Sequence, residues 1–481
     1  MTATSPAAPA STRPGSLATV SILLASATAL FAAGVSGLSL PSLDDAFYAR
    51  KGVEMARAGG SFTVTWAGQP AFQNPPLHFW LLAVSFRLLG EGDLAARVPS
   101  LLMAVATLLL TLRIGQRLVD RRTALSAAAL LVISPIFVNG ARGCMLDLPL
   151  AFWTSSALLL FIEGRRRPWL HLAIALPLAG AILTKSVLGL LAVPIMAAAY
   201  LHPDWRPRRA GWLCAGVALG MGLGASWTIH QGLTIGPQAV WAHYWGEIGS
   251  RAGAGFDPLS AVLGYPLILL QHYQPIVIPG LLGCIALLRN RRRWTAEEAL
   301  LVAWALLPIL LYSLSAARSP RYLYPILPPL ALCASLWLQR ALPAVERHLA
   351  ARVAPAVALA AAATFVVSPT TLTRDLNAPF KRHGELIRER VAADAPLPYL
   401  GRRFWEHANP LLYYAERRLA TPAPDAVAAV AAALNHPSRL LLCDRDLLAD
   451  LAAAGRSGRT VVEGRRWVLL DLSPLSEEQA S

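Results

Sequence analysis

LATVSILLASATALFAAGVSGLSLPSLDDAFYARKGVEMA, residues 17–56, is an apolar run followed at once by two acids and an amphipathic segment. The run over 17–39 is about 23 residues, enough to cross a bilayer core and too long for the centre of a signal peptide. It reads as a retained first spanning helix, preceded by a Pro-, Ser-, Thr- and Ala-rich cytoplasmic N-terminus, 1–16, expected to be disordered. Past the acids, Ala46, Ala49, Val53 and Ala56 share one helical face and Arg50, Lys51, Glu54 and Arg57 the other. That pattern predicts a helix lying in the membrane interface.

Further spans are predicted near 97–116, 123–140, 147–163, 210–229, 273–289, 297–314, 322–340 and 353–368. The stretch 169–201 holds two short helices, because the polar pair Thr184-Lys185 interrupts it and predicts a hairpin. The sum is about eleven spans. Composition agrees: of 481 residues 55% are hydrophobic and 15% charged, where a soluble domain carries about a quarter charged. The net charge of +15 would suit a nucleic-acid partner, but the arginines stand in short clusters between apolar runs. Those clusters, Arg117 with Arg121 and Arg122, Arg165 to Arg167, Arg206 with Arg208 and Arg209, Arg289 with Arg291 to Arg293, and Arg340 with Arg347 and Arg352, fall at alternate loops. By the positive-inside rule they are cytoplasmic, so the N-terminus is inside, an odd count puts the tail outside, and no nucleic acid is expected. The five cysteines are scattered singly and read as neither a disulfide framework nor a metal site.

From about 374 hydropathy falls. Leu440-Leu441-Leu442 and Trp467-Val468-Leu469-Leu470 read as buried strands, and 425–434 and 445–454 have helical spacing. The expected fold is an all-α polytopic membrane domain, 17–373, with interfacial helices, and a small C-terminal α/β extracytoplasmic domain, 374–481.

With this topology the outer loops collect the unusual polar residues: Asp44 and Asp45, then Gln73 and Asn74 in AFQNPPLHFW, Arg142 and Asp147 in ARGCMLDLPL, Lys185 in LTKSV, Glu247 and Arg251 in HYWGEIGSR, and Arg318 and Arg321 in SAARSPRYLYP. Position leaves each with two readings. Acids after a span are topology features or functional groups. Asp147 complements a helix dipole or serves a site. Lys185 anchors a hairpin by snorkelling or holds an anion. The two arginines meet lipid headgroups or clamp a phosphate. Acids and bases from five loops at one membrane face suit chemistry at a lipid headgroup, where cations hold a phosphate leaving group and a carboxylate takes a proton.

The ordered motifs DDAFYARKGVEMA, QNPPLHFWL, ARVPS, ARGCMLDLPLAFW, LTKSV, HYWGEIGSR and YSLSAARSPRYLYPILPPLAL, over about 40–340, resemble the C-type membrane glycosyltransferases related to protein O-mannosyltransferases. Within them the resemblance is to the bacterial branch of aminoarabinose transferases acting on lipid A. It implies inverting transfer of a sugar from an undecaprenyl-phosphate donor to a cell-envelope acceptor, in the inner membrane, with the C-terminal domain periplasmic. It places the catalytic aspartate at Asp44 and the second acidic position at Asp147, with Tyr48 in the same motif as Asp44. Phosphate-contacting residues fall on Lys185 and Arg318, beside Arg321, and the motif tyrosine on Tyr322.

Two positions depart from the family pattern. Gln73 and Asn74 stand where relatives have a glutamate and a lysine, and Ile248 stands where they have a histidine after the glutamate matched by Glu247. That glutamate and histidine belong to a metal site in the aminoarabinose branch, so the resemblance with these changes implies no metal and no other cofactor. His78, His230, His243 and His272 read as ordinary hydrogen-bonding residues. The missing lysine also weakens the case for a phosphorylated acceptor such as lipid A. Two other functions fit the sequence: a catalytically degenerate binder of lipid-linked sugar, and a transporter, which would place charges mid-span and carry related halves.

Overall fold

The computed structural model describes residues 14–206, 210–252, 258–290, 294–315, 317–348, 354–367, 375–454 and 458–473. Expected helices are found at Asp93–Leu118, Asp147–Gly164, Ala210–Thr234, Val277–Arg289, Ala296–Ser313, Leu327–Ala341 and Ala354–Val367. Among the described residues four are long and apolar enough to cross a membrane, counting 168–200 as one, or five if the pair Arg121–Val132 and Pro135–Ala141, bent by 72°, is a single span. The chain is a helical membrane protein. The helix Ala210–Thr234 shows why: only 22% of its most apolar window is buried, and Leu219, Leu223, Ile229 and Leu233 face outward, which hydrocarbon tolerates and water does not.

The expected count of eleven is not reproduced as unbroken helices. Ser134-Pro135 breaks one, since proline cannot donate to the preceding turn. In the 169–201 stretch the chain reverses after Lys185: a Cβ on Gly189 would stand 2.3 Å from the backbone of Ala181 and Ile182, so 186–191 folds back on Ala175–Lys185 and Ala192–Tyr200 returns against Ala296–Ser313. That is the expected hairpin. Three helices fall where loops were expected, Leu77–Leu89, Pro237–Ala252 and Pro258–His272. At 13 to 16 residues and roughly 1.5 Å per residue, none reaches across about 30 Å of hydrocarbon.

The helix Leu43–Arg57 follows the first apolar helix, Pro14–Ala32, and begins with a capping box in which Ser42 and Asp45 satisfy each other's backbone N–H groups. It packs so closely on Leu77–Leu89 that a Cβ on Gly52 would meet the Leu82 Cβ at 2.7 Å. Lys51, expected on the polar face, is fully buried instead, because this second helix covers that side.

The C-terminal segment holds strands β3 (Tyr399–Leu400), β4 (Leu440–Asp444), β5 (Arg459–Glu463) and β6 (Trp467–Asp471) in the order β3-β4-β6-β5, β1 and β2 being the short hairpin Thr65–Trp66 and Gln69–Pro70. β3 is parallel to β4 and the other pairs are antiparallel. Along β4 and β6 alternate residues enter two cores. Leu440, Leu442, Trp467 and Leu469 meet Phe380, Ile387 and Leu411, whereas Leu441, Cys443, Val468 and Leu470 meet Ala429, Val430 and Leu451. A sheet covered on both faces explains the continuous apolar runs. The segment is clasped to the first helices: Asn377 donates to the Leu40 and Ser42 carbonyls, the Tyr414 hydroxyl donates to Asp93 at 2.8 Å, and Lys381 pairs with Asp93 at 2.8 Å.

Candidate active site

Asp44 and Asp45 are neighbours in one helical turn and point to different places. Asp45 turns inward: its carboxylate takes the Ser42 N–H at 3.0 Å and the Cys144 N–H at 2.5 Å, tying the helix to the loop before Asp147. Burial raises its pKa although these hydrogen bonds and Arg321 work the other way. Asp44 stays 39% exposed and accepts from Arg321 Nη2 at 2.9 Å.

Arg321 opens the short 3₁₀ segment Pro320–Ile326. Burial opposes its charge, but Asp147, Asp44 and Asp45 outweigh that and raise its pKa. Asp147 stands in the first turn of Asp147–Gly164 and is paired with Lys185, whose ammonium also lies 4.9 Å from the centre of the Tyr322 ring. Lys185 ends its helix, where a cation is favoured, and Ser186 after it holds φ at +50°, a strained value for a residue with a side chain. Ser186 shares the Tyr244 hydroxyl with Thr228, which ties the hairpin tip to the helix Pro237–Ala252. Tyr48 completes the cluster: burial, then Asp147 and Asp44, push its phenol pKa well up.

Asp44, Asp45, Tyr48, Asp147, Lys185, Arg321 and Tyr322, from four separated parts of the chain, thus meet at one place. Arg318 lies to one side, donating to Ser260 and, at 3.4 Å, to the Ser313 carbonyl. Arg142 is elsewhere in role, donating to the Leu30 and Phe31 carbonyls where the first helix ends. Gln73 accepts from Lys51 Nζ at 3.3 Å, and Asn74 follows it in the same turn. The side chains of Glu247 and Arg251 lie outside the described residues.

Two groups that the sequence reading did not single out as site residues also matter. Arg97, known there only as part of ARVPS, is buried and donates to five backbone carbonyls, those of Val35, Leu38, Ser39, Asp93 and Arg142. Lys51 lies 4.0 Å from the Phe47 ring centre, and burial lowers its pKa to about 7. For Arg97 the available signal was a charged residue inside an apolar helix, whereas Lys51 reads as an ordinary member of its helix's polar face.

Residues 73–229 match the family described as dolichyl-phosphate-mannose-protein mannosyltransferase. An undecaprenyl phosphate-alpha-4-amino-4-deoxy-L-arabinose arabinosyl transferase of Pseudomonas savastanoi pv. phaseolicola is 26% identical over 66% of this chain, and its counterpart in Pseudomonas aeruginosa 28% identical over 62%. The chain spans 60% and 55% of the length of these relatives. The crystal structure of ArnT from Cupriavidus metallidurans bound to undecaprenyl phosphate superposes with a TM-score of 0.69 at 19% identity, over 96% of this chain and 98% of that one. The Archaeoglobus fulgidus oligosaccharyltransferase gives 0.59 at 13% identity, over 91% and 70%. This chain is therefore related to the C-type membrane glycosyltransferases that include the aminoarabinose transferases and the protein O-mannosyltransferases.

Proposed function

We propose that this protein transfers a sugar from a polyprenyl-phosphate donor, undecaprenyl phosphate being the carrier, to a cell-envelope acceptor with inversion at the anomeric carbon. The observation that carries this is the paired cluster: two carboxylates and two cations, drawn from distant segments and held beside apolar helices that suit a lipid-linked substrate. Asp44, the more exposed acid, takes the proton of an acceptor hydroxyl as its oxygen attacks the anomeric carbon. The bond from that carbon to the phosphate oxygen breaks, and the charge that develops on the leaving phosphate is met by Lys185 and Arg321, with Arg318 nearby. Arg321 can leave Asp44 for the arriving phosphate, which frees the carboxylate as the donor binds.

In this reading the chain crosses the membrane eleven times with its N-terminus cytoplasmic, and 374–481 forms an extracytoplasmic domain over the site. No metal takes part. Gln73 and Ile248 supply neither a carboxylate nor an imidazole where the family pattern has its metal ligands, and the Gln73 oxygen accepts from Lys51 Nζ at 3.3 Å.

The test is transfer by membranes carrying Asp44→Asn. Loss of transfer with undecaprenyl phosphate still bound is expected; retained transfer would overturn the assignment. Wild-type protein that binds a lipid-linked sugar but never releases polyprenyl phosphate, with any envelope fraction as acceptor, would mark a degenerate binder.

A further inference from the structure

Asp44 also lines a cleft of about 260 Å³, open to solvent and walled by both the interfacial helix and the C-terminal segment. Its wall is aromatic. Phe47 and Trp66 stand 6.2 Å apart between ring centres, Trp66 and Trp405 5.4 Å apart, and Trp405 is 55% exposed although it is an indole. Its polar groups are amides, Gln69, Gln73 and Asn409, and Asp44 is the one charged group among the described residues that line it. Asn409 is only 3% exposed, yet its carbonyl oxygen has no hydrogen-bond donor, and the Trp66 indole N–H has no acceptor. Because Gln73 takes the Lys51 ammonium on its oxygen, its NH2 remains to donate elsewhere.

These features discriminate between ligands. A phosphate would meet Asp44 with no cation on the cleft wall to balance it. An acyl chain would cover the indoles and leave Asn409 and Trp66 unpaired. A sugar ring has a face of C–H groups that packs on an indole and an edge of hydroxyls that both donate and accept. We propose that this cleft is a carbohydrate subsite holding an uncharged sugar ring against the Trp66–Trp405 wall, with its hydroxyls on Asn409 and Gln73 and one edge at Asp44. The proposal rests on the transferase reading above and names what lies beside its base. The ring belongs either to the donor sugar or to an acceptor glycan, and the chemistry of the wall is the same for both.

The test uses the full chain in lipid nanodiscs, with the uncharged methyl pyranosides of glucose, mannose and galactose as probes and saturation-transfer NMR as readout. At least one glycoside should bind the wild type. Trp405→Ala should weaken it about tenfold or more, the loss typical of an aromatic anchor, and Asn409→Ala less, while Trp405→Phe keeps most of the binding. Undecaprenyl phosphate should bind all variants like the wild type, showing that the variants fold. Displacement of the glycoside by undecaprenyl-phosphate-linked sugar but not by undecaprenyl phosphate alone assigns the ring to the donor. A glycoside that stays bound beside the lipid-linked sugar assigns it to the acceptor. No glycoside bound, binding indifferent to Trp405→Ala, or displacement by undecaprenyl phosphate alone overturns the subsite. Failure of the wild type to bind undecaprenyl phosphate instead counts against the transferase reading, whatever the glycosides do.

Discussion

Arg97 and Arg321 both stand at the ends of apolar helices, and their surroundings are opposite. Arg97 is 2% exposed and its guanidinium is ringed by main-chain carbonyls, the nearest being Ser39 at 2.5 Å and Val35 at 2.7 Å. Those two acceptors are fixed parts of the turn after the first helix, where Lys381 holds the Ser36, Gly37 and Leu38 carbonyls and Arg97 those of Val35 and Ser39. Arg321 is one-third exposed and faces a side-chain carboxylate that is itself 39% exposed. A carboxylate can be exchanged for a phosphate without unfolding anything, whereas a ring of carbonyls cannot. The difference separates a cation that builds the site's frame from one that can act in it.

Removing the frame should have the larger effect. Arg97→Met takes a donor from five carbonyls, of which Leu38 keeps Lys381, and a loss of about 3–5 kcal/mol is expected, read as a collapse in the yield of folded protein or a steep fall in its melting temperature. Melting within a degree or two of wild type would place Arg97 with the exchangeable cations. Arg321→Gln tests the other half. It should melt close to wild type while sugar transfer falls by roughly 10²–10³, the usual cost of removing one donor from a developing negative charge. Transfer reduced only in proportion to folded protein would make Arg321 structural too.

The acids and cations of the cluster were legible in the sequence because hydrophobic runs are: once the spans are drawn, Asp44, Asp147, Lys185 and Arg321 are charges left at their ends. Their division of labour was not. Asp44 and Asp45 are equivalent by position, and only the capping box at Ser42 turns one inward and leaves the other open. Arg142 looks like a site cation until the carbonyls it holds, Leu30 and Phe31 at the end of the first helix, are known, and Arg97 shows its framework role only through the carbonyls around it. The expected strands at 440–442 and 467–470 and the hairpin at Lys185 follow from local pattern, whereas Trp405 and Asn409 reach the cleft only through tertiary packing of a segment far along the chain. The count of eleven failed as a count of unbroken helices because hydropathy does not register a break at Ser134-Pro135 or a helix too short to cross.

Lys51 sharpens the comparison, since it is buried like Arg97 but lacks a carbonyl ring. Burial lowers its pKa to about 7, against about 10.4 in an unfolded chain. Below pH 7 both states hold the proton and this group adds no slope. Between pH 7 and 10.4 the unfolded state holds a proton that the folded state has released, so stability rises with pH. The wild type should gain on Lys51→Met by about 2 kcal/mol between pH 7 and 8.5, measured as the difference between their denaturation midpoints in detergent. Parallel pH profiles would mean that Lys51 keeps its charge, with the Phe47 ring and Gln73 compensating for burial.

The smallest effect is expected where cations are most numerous, at the clasp between the interfacial helix and the C-terminal segment. Arg57 reaches Glu91 at 2.6 Å and Glu416 at 3.1 Å, a better-looking set of ion pairs than Arg321 has, but it is 45% exposed. Water and salt already solvate such a group in the unfolded state, so geometry alone confers little. Arg388 also stands 3.9 Å from Glu416 and keeps some opposing charge there when Arg57 is gone. Arg57→Gln should therefore lower stability by less than about 1 kcal/mol at low salt, and the difference should shrink further as salt is raised. A loss above about 2 kcal/mol that salt does not reduce would show that the clasp behaves as buried structure. Exposure would then have failed to separate framework charges from exchangeable ones, and the assignment of Arg321 would rest on its transfer defect alone.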